Sequence, residues 1–326
     1  MLGRRAAPML EFARDWETAS VKTCISETPR GFSLVRMRRF RWLILCLAAC
    51  VLAALGIAWA LRGPSRAGMV RLPGGAFVMG CVDADTECLD WEKPAHRVVL
   101  SPFWMDIHPV TVAEYAECVR EGSCGKPEPA LLGGPVAASV RNWRKISRRN
   151  HPVTEINWQD AATYCRWKNK RLPTEAEYEY ALRGGRTGDI YPWGAAEIPP
   201  AGAGNYADES YKKRFPSGNP EEVFEGYDDR FAATSPVCEF APNRFGLCDI
   251  SGNVEEWCAD WYGDNYYAES PDRNPRGPSA GERRIQRGAS WTDSRRSARL
   301  SSRGVGAPPK LGSVSVGFRC VRDRAK

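Results

Sequence analysis

The chain has 326 residues, a mass of 36.3 kDa and 43% hydrophobic residues, enough for one large or two small well-cored domains and too apolar for a disordered chain. Its net charge of +7 sits almost wholly at one end: before Ala67, eleven Lys and Arg face four acids, and the remainder balances at 35 against 35. The folded part therefore carries no basic excess, which excludes the electrostatic argument for nucleic-acid binding.

Residues 1–42 show no sustained periodicity and read as a cytoplasmic tail. Residues 43–61 (LILCLAACVLAALGIAWAL) form an uninterrupted apolar run of 19 residues, close to the ~20 that span a bilayer as a helix. Arg36, Arg38, Arg39 and Arg41 precede it, so the positive-inside rule places the N-terminus in the cytoplasm and everything after Arg62 outside, periplasmic or extracellular. With a start at Met37 the same run becomes a signal peptide and the domain is secreted. Leu47-Ala48-Ala49-Cys50 resembles a lipobox, but the apolar run continues well past Cys50. All three readings export the domain beyond Arg62.

Cysteine usage agrees with export. Beyond the apolar run there are nine cysteines, no CxxC pair, and in the whole chain only three histidines, His96, His108 and His151, a pattern that favours disulfides over zinc. Short separations suggest Cys81 with Cys88, Cys118 with Cys124, and Cys238 with Cys248. Nine is odd, and Cys258 is the expected leftover thiol.

After a linker at 62–68, residues 69–79 (MVRLPGGAFVM) alternate around Gly74-Gly75 as a β-hairpin would, and 97–107 is a further strand candidate. Thr111 with Glu114 forms a capping box for a helix to about Arg120, stopped by Gly122. Residues 126–150 form a loop ending in Arg141, Arg144, Lys145, Arg148 and Arg149, read as a solvated basic surface. Asn157 caps a second helix to about Lys168. A third begins at the Thr174 and Glu177 capping box and ends at Gly184-Gly185. Residues 191–231 lack periodicity and need something to hold them, a metal or a disulfide, with Asn205, Asp228 and Asp229 at hand. Strand-like pieces at 284–291 and 313–321 close the chain.

The densest stretch is 246–263, GLCDISGNVEEWCADWYG. Ser251-Gly252-Asn253 favours a turn with positive φ that brings carbonyls and the flanking carboxylates of Asp249 and Glu256 together, the oxygen cage that calcium prefers. The plain alternative is a turn with solvated acids.

Five ordered motifs now point one way: KRLPTEAEYEYALRGG at 170–185, YPWG at 191–194, GLCDISGNVEEW at 246–257, RGASW at 287–291 and GFRC at 317–320. In this order they resemble the formylglycine-generating enzyme, or sulfatase-modifying factor, family, over roughly 69–323. The resemblance implies a single α+β domain related to the C-type lectin fold, low in regular secondary structure, here after one N-terminal transmembrane helix or uncleaved signal anchor. It also implies structural calcium. One site would use Asn205, the carbonyl of Tyr206, Asp229 and the carbonyl of Phe231; the other, the better match, Asp249, the carbonyls of Gly252 and Val254, and Glu256. It implies a Cys165 to Cys320 disulfide as well.

The oxidases of this family carry two cysteines after a GGS motif that bind copper(I), a soft ion suited to thiolates. The corresponding positions here are Asp293 and Ala298, Glu255 replaces the tryptophan of the GNxWEW signature, and Ser290 remains. Copper is accordingly not expected. The sulfoxide-synthase branch takes its histidine and carboxylate iron site largely from an added domain, which this chain lacks. The expectation is an exported, membrane-anchored domain that kept the scaffold and lost the copper site, acting in binding or maturation of a partner. The alternative is an oxidoreductase of the superfamily with a different metal site. From 283 to 303 seven arginines face one acid, Asp293, so Arg295 and Arg299 are candidates for gripping an acidic peptide or anionic glycan, unless they pair internally.

Overall fold

The computed structural model describes residues 68–128, 138–216 and 223–323. The apolar run at 43–61 lies outside the described residues, and among the described ones no helix is long and apolar enough to cross a membrane.

Three helices form where capping chemistry predicts them. Thr111 and Glu114 exchange side-chain and backbone hydrogen bonds at the start of α1 (Val112–Arg120). The Asn157 side chain accepts from Asp160 N to start α2 (Trp158–Trp167). Thr174 and Glu177 form a second capping box for α3 (Glu175–Arg183), which Gly184 ends at φ 58°. Each such cap is worth about 1 kcal/mol. Helix α3 departs from ordinary amphipathic behaviour because all nine of its residues are buried, four of them charged. Those charges need internal partners, and they have them. Glu179 accepts from Gly80 N at 2.8 Å and from Arg183 at 2.7 Å, and Glu177 receives both Arg171 terminal nitrogens at 2.7 Å.

The strands make small separate sheets. β1 (Met69–Leu72) and β4 (Phe103–Asp106) pair antiparallel, and β8 (Val321–Asp323) adds to the far side of β4. β2 (Gly75–Met79) pairs instead with β3 (His96–Leu100). The hairpin expected at 69–79 is thus corrected: its two strands belong to different sheets. Gly74 is required by close approach, since a Cβ there would meet Leu100 O at 2.4 Å. The single strand expected at 97–107 is broken at Ser101-Pro102, where the ring removes a ladder donor. The third sheet is β6 (Arg284–Arg287), β5 (Glu255–Trp261) and β7 (Val316–Gly317), antiparallel across the first pair and parallel across the second. The strand-like pieces at 284–291 and 313–321 are therefore shorter than expected.

Two principal apolar clusters flank this framework. Leu72, Val98, Phe103, Tyr178, Ile285 and Val321 build one; Tyr115, Val153, Ile156, Ala161, Trp257 and Phe318 build the other. The irregular stretch after Tyr191 is held by aromatic packing. Tyr191 stacks on Trp193 at 5.1 Å, Trp193 meets Tyr206 at 5.5 Å, and Tyr206 meets Phe224 at 5.6 Å. A short helix, α4 (Glu209–Arg214), sits within it.

Among the described residues there are four disulfides, Cys81–Cys88, Cys118–Cys124, Cys165–Cys320 and Cys238–Cys248, which leave Cys258 as a buried free thiol. Cys165–Cys320 ties α2 to the chain just before β8 across 155 residues. Chain-entropy reasoning gives about 5 kcal/mol for a loop of that length. Replacing both cysteines by serine is expected to lower the denaturant midpoint sharply, whereas the Cys118→Ser, Cys124→Ser pair, closing six residues, should move it less. Equal midpoints for the two double variants would show that loop length does not set the contribution.

Candidate functional site

The turn at 246–254 takes the conformation its residues favour: Gly246, Asp249, Gly252 and Asn253 have φ of 81°, 47°, 81° and 65°. A Cβ on Gly252 would lie 2.7 Å from Asn205 O, so glycine is needed for this approach. Asn253 N donates to Asn205 O at 2.7 Å, Gly252 N donates to Gly288 O at 2.7 Å, and Trp291 N donates to Asn253 O at 3.2 Å. The Asn253 amide group binds both backbone groups of Ser235. One turn thereby clasps the segments around Asn205, Ser235 and Ser290.

The residues of the first expected oxygen set fall on two segments that hydrogen bonds tie to each other. Asn205 is fully buried; its Nδ2 donates to Ala233 O at 2.8 Å, and its Oδ1 has no partner among the described residues. The Asp229 carboxylate accepts from Tyr206 N at 2.9 Å and from Phe231 N at 2.7 Å, which seats it against both residues whose carbonyls complete the set. Asp208, which sequence reasoning missed, adds a second acid: its Oδ2 accepts from Asp229 N at 2.5 Å and its Oδ1 caps α4 through Tyr211 N. The Asp-x-x-Tyr cap was the available signal. Burial, with the Asp208 charge behind it, pushes the Asp229 carboxyl up to about 8, and burial raises Asp208 too. An orphaned amide oxygen beside two buried acids is a donor set that could hold a hard cation. Asp228 stays outside it, exposed and bonded to Ser210 at 2.7 Å.

The second set is differently disposed. Of its two acids, Asp249 and Glu256, the second is already engaged by Arg319. Its guanidinium donates to both Glu256 oxygens, at 2.7 and 2.8 Å, and to Asp249 O at 2.8 Å, with Arg319 and Glu256 fully buried. The Asp249 carboxylate accepts from Cys238 N at 2.7 Å, and burial lifts it to about 6. Glu256 thus already has its counter-charge, and the first set is the one left with an unmet demand. Among the described residues, Cys81, Asp85 and Cys88 also converge, but both sulfurs are spent in their disulfide.

At the oxidase positions, Asp293 takes hydrogen bonds from Ser290 N at 2.8 Å and Ser290 Oγ at 2.5 Å, while Ala298, at the end of α6 (Arg295–Ala298) after α5 (Tyr266–Glu269), is buried. Half-buried Glu255 lies near Asp293; burial, then the Asp293 charge, raises its carboxyl to about 8. Neither position offers a thiolate, and among the described residues the one free thiol, Cys258, is fully buried with its proton held by burial. The residues present do not fit a copper(I) dithiolate centre.

Of the seven arginines of 283–303, three are buried: Arg287, Arg299 and Arg303. Arg299 is corrected as an anion-binding candidate: it is 2% exposed, paired with Asp85 at 2.8 Å and Glu92 at 2.9 Å. Arg303 pairs with Glu175 at 2.8 Å and Arg287 with Glu179. Arg295 is half-exposed and bridges Glu87 at 2.7 Å and Glu197 at 3.0 Å. It borders a cleft of about 870 Å³ lined by Glu87, Glu197, Phe224, Glu225, Arg295 and Arg296.

Comparison with known proteins places this geometry. Residues 60–324 match the Sulfatase-modifying factor enzyme 1-like domain. The formylglycine-generating enzyme of Streptomyces coelicolor is 39% identical, over 81% of this chain and 92% of its own length. The inactive C-alpha-formylglycine-generating enzyme 2 of Mus musculus is 33% identical, over 87% of this chain and 93% of its own. Among solved structures, PvdO from Pseudomonas aeruginosa superposes with a TM-score of 0.62 at 27% identity, over 78% of this chain and 94% of that one. Relatives named as active and as inactive align almost equally well, so overall identity does not decide activity; individual residues do.

If the first oxygen set holds calcium, the ion should raise the melting temperature, with a stabilisation of about 2.7 kcal/mol at a hundredfold excess over Kd. Asn205→Ala or Asp229→Asn should abolish the increment and Asp249→Asn should leave most of it. A wild-type melting curve unmoved by calcium and by chelator would reduce the set to a buried polar junction.

Proposed function

The chain belongs to the sulfatase-modifying factor family, and on that premise we propose that it binds or matures a partner polypeptide on the formylglycine-generating scaffold without copper-thiolate oxidation. The observation that carries the reading is the state of the oxidase positions: Asp293 is committed to Ser290, Ala298 is an apolar buried residue, and Cys258 lies in the core. Removing two soft ligands removes the copper(I) site itself, so no oxygen activation is assigned to this surface.

The cleft beside α6 suits a partner of mixed charge. Its volume is that of a ligand pocket, and Arg295 is already shared between Glu87 and Glu197, with Arg296 and Glu225 exposed on the rim. This replaces the expectation of a purely anionic ligand. Residues 43–61, with the arginines before them, support display of the domain outside a membrane. The first oxygen set would serve as a structural calcium site.

A second reading has its own support. Asp293 puts a carboxyl at one of the two soft-ligand positions of the oxidases and Glu255 puts a second where they keep a tryptophan, and an acid that retains its proton near neutral pH suits proton transfer. Oxygen consumption with iron or manganese, lost on Glu255→Gln, would favour it.

The direct test is incubation of the purified chain with copper(I), oxygen, reductant and a CxPxR peptide, followed by mass spectrometry, with a formylglycine-generating enzyme as positive control. Unmodified peptide is the expected outcome. Formylglycine in the product would overturn the binding reading.

A further inference from the structure

The basic run at 141–149, read from sequence as one solvated surface, is divided by the fold into two kinds of residue. Arg141 pairs with Glu155 at 2.9 Å, and Arg148 donates to Thr234 O at 2.9 Å and to His151 Nδ1 at 3.0 Å. Those two are structural. Arg144, Lys145 and Arg149 turn the other way and join Arg120 of α1 around a separate cleft of about 270 Å³. Val112, Ala113, Ala116 and Trp143 form its apolar wall, and its one acid, Glu117, lies 3.6 Å from Lys168.

Three features distinguish this cleft from an ordinary charged surface. Among the described residues, Arg120, Arg144 and Arg149 make no ion pair. Arg144 is held at φ 64°, a conformation uncommon for a residue with a side chain. Beside it Ile146 is 87% exposed, the most exposed of the large hydrophobic residues described. Lys145 donates to Ser139 O at 3.0 Å, which leaves an exposed isoleucine beside three arginines without ion pairs over an apolar wall, the chemistry that meets an anionic lipid surface: the cations take headgroup phosphates and the isoleucine enters the acyl boundary.

The position of the chain entry points to the same occupant. Gly68 O accepts from Ile107 N at 3.0 Å, only a few residues ahead of Val112, the first residue of α1 and part of the cleft wall. Upstream of Met69 the linker at 62–68 spans at most about 25 Å fully extended, counted from the end of the apolar run. We propose that the cleft formed by Arg120, Trp143, Arg144, Lys145, Ile146 and Arg149 docks on anionic lipid headgroups of the membrane in which residues 43–61 are anchored. The proposal rests on the anchoring reading of those residues.

The test uses the full chain reconstituted in nanodiscs of phosphatidylcholine or of phosphatidylcholine mixed with phosphatidylglycerol, with deuterium exchange followed at 141–149. Incorporation into discs reports the anchor separately from the cleft. Exchange at 141–149 is expected to slow about tenfold in the anionic discs only, and to recover in high salt and in the Arg144→Glu, Arg149→Glu double variant. The melting temperature of that variant should match wild type, because both arginines are exposed and unpaired. Equal exchange in the two kinds of disc, with the chain incorporated, overturns the proposal. So does protection by soluble polyglutamate in the absence of an anionic-disc effect, which would assign the cleft to an acidic protein. If the chain does not enter discs, the anchoring reading fails, and binding of the soluble chain to phosphatidylglycerol vesicles then decides the cleft alone.

Discussion

Arg319 is the interaction on which the rest of the domain depends. From a fully buried position its guanidinium donates to Glu256 on β5, to the carbonyls of Cys248 and Asp249 in the 246–254 turn, and to the carbonyls of Asp106 and Ile107 at the end of β4. A planar fork with five donors can join three chain segments in a way that a lysine cannot. The next residue, Cys320, is bonded to Cys165 of α2, and its N–H donates to the Asp106 carboxylate at 3.0 Å. The sheets are too small to fix one another, so this knot sets their mutual position. Removing either member of such a pair would strand a buried charge, a loss of about 3–5 kcal/mol.

The same device recurs beneath the cleft beside α6. Arg287, Arg299 and Arg303 reach inward to Glu179, to Asp85 and Glu92, and to Glu175, linking the 284–303 segment to α3, to the disulfide-closed loop at 81–88 and to the turn just after it. Tyr267 of α5 adds a hydrogen bond to Glu175 at 3.0 Å. Buried ion pairs contribute little net stability compared with apolar packing, but they are intolerant of rearrangement. Here they hold an irregular segment, poor in backbone ladders, in one conformation.

What the sequence made legible was local. Thr111, Asn157 and Thr174 announced their helices because a cap acts over three residues, and Ser251-Gly252-Asn253 announced its turn because positive φ is a property of those residues. The three short disulfides followed from spacing, and the long one from family resemblance. Strand β5 was not legible, because its Glu255, Glu256 and Asp260 looked like loop acids, and their burial depends on partners as distant as Arg319. The arginine run misled for the same reason. Seven cations against one acid reads as a bare surface in linear counting, yet Arg299 finds Asp85 and Glu92 more than two hundred residues earlier. At the first oxygen set, the local cap at Asp208 marks a helix start and says nothing of Asp229, twenty-one residues on, whose N–H it accepts.

Scaffold and chemistry are separable in this domain, which explains how the oxidase positions could change without loss of the fold. The loop carrying Asp293 is fixed from behind, by Gly252 on Gly288 and by Asn253 on Trp291, and none of those contacts uses the side chains at 293 or 298. Gly288 itself is pressed so closely on Tyr178 that a Cβ would lie 2.3 Å from the hydroxyl, so the backbone path is set by packing. Asp293 then fits by folding back onto Ser290, which satisfies its carboxylate locally, and Ala298 fills an apolar site where a thiol would stand. Without thiolates at 293 and 298 this surface is shaped by its own contacts, and beside α6 those contacts include Arg295 already engaged with Glu87 and Glu197. On the proposed function, a polypeptide partner there would have to exchange its own charges for the ones in place, so that selection would run by charge pattern.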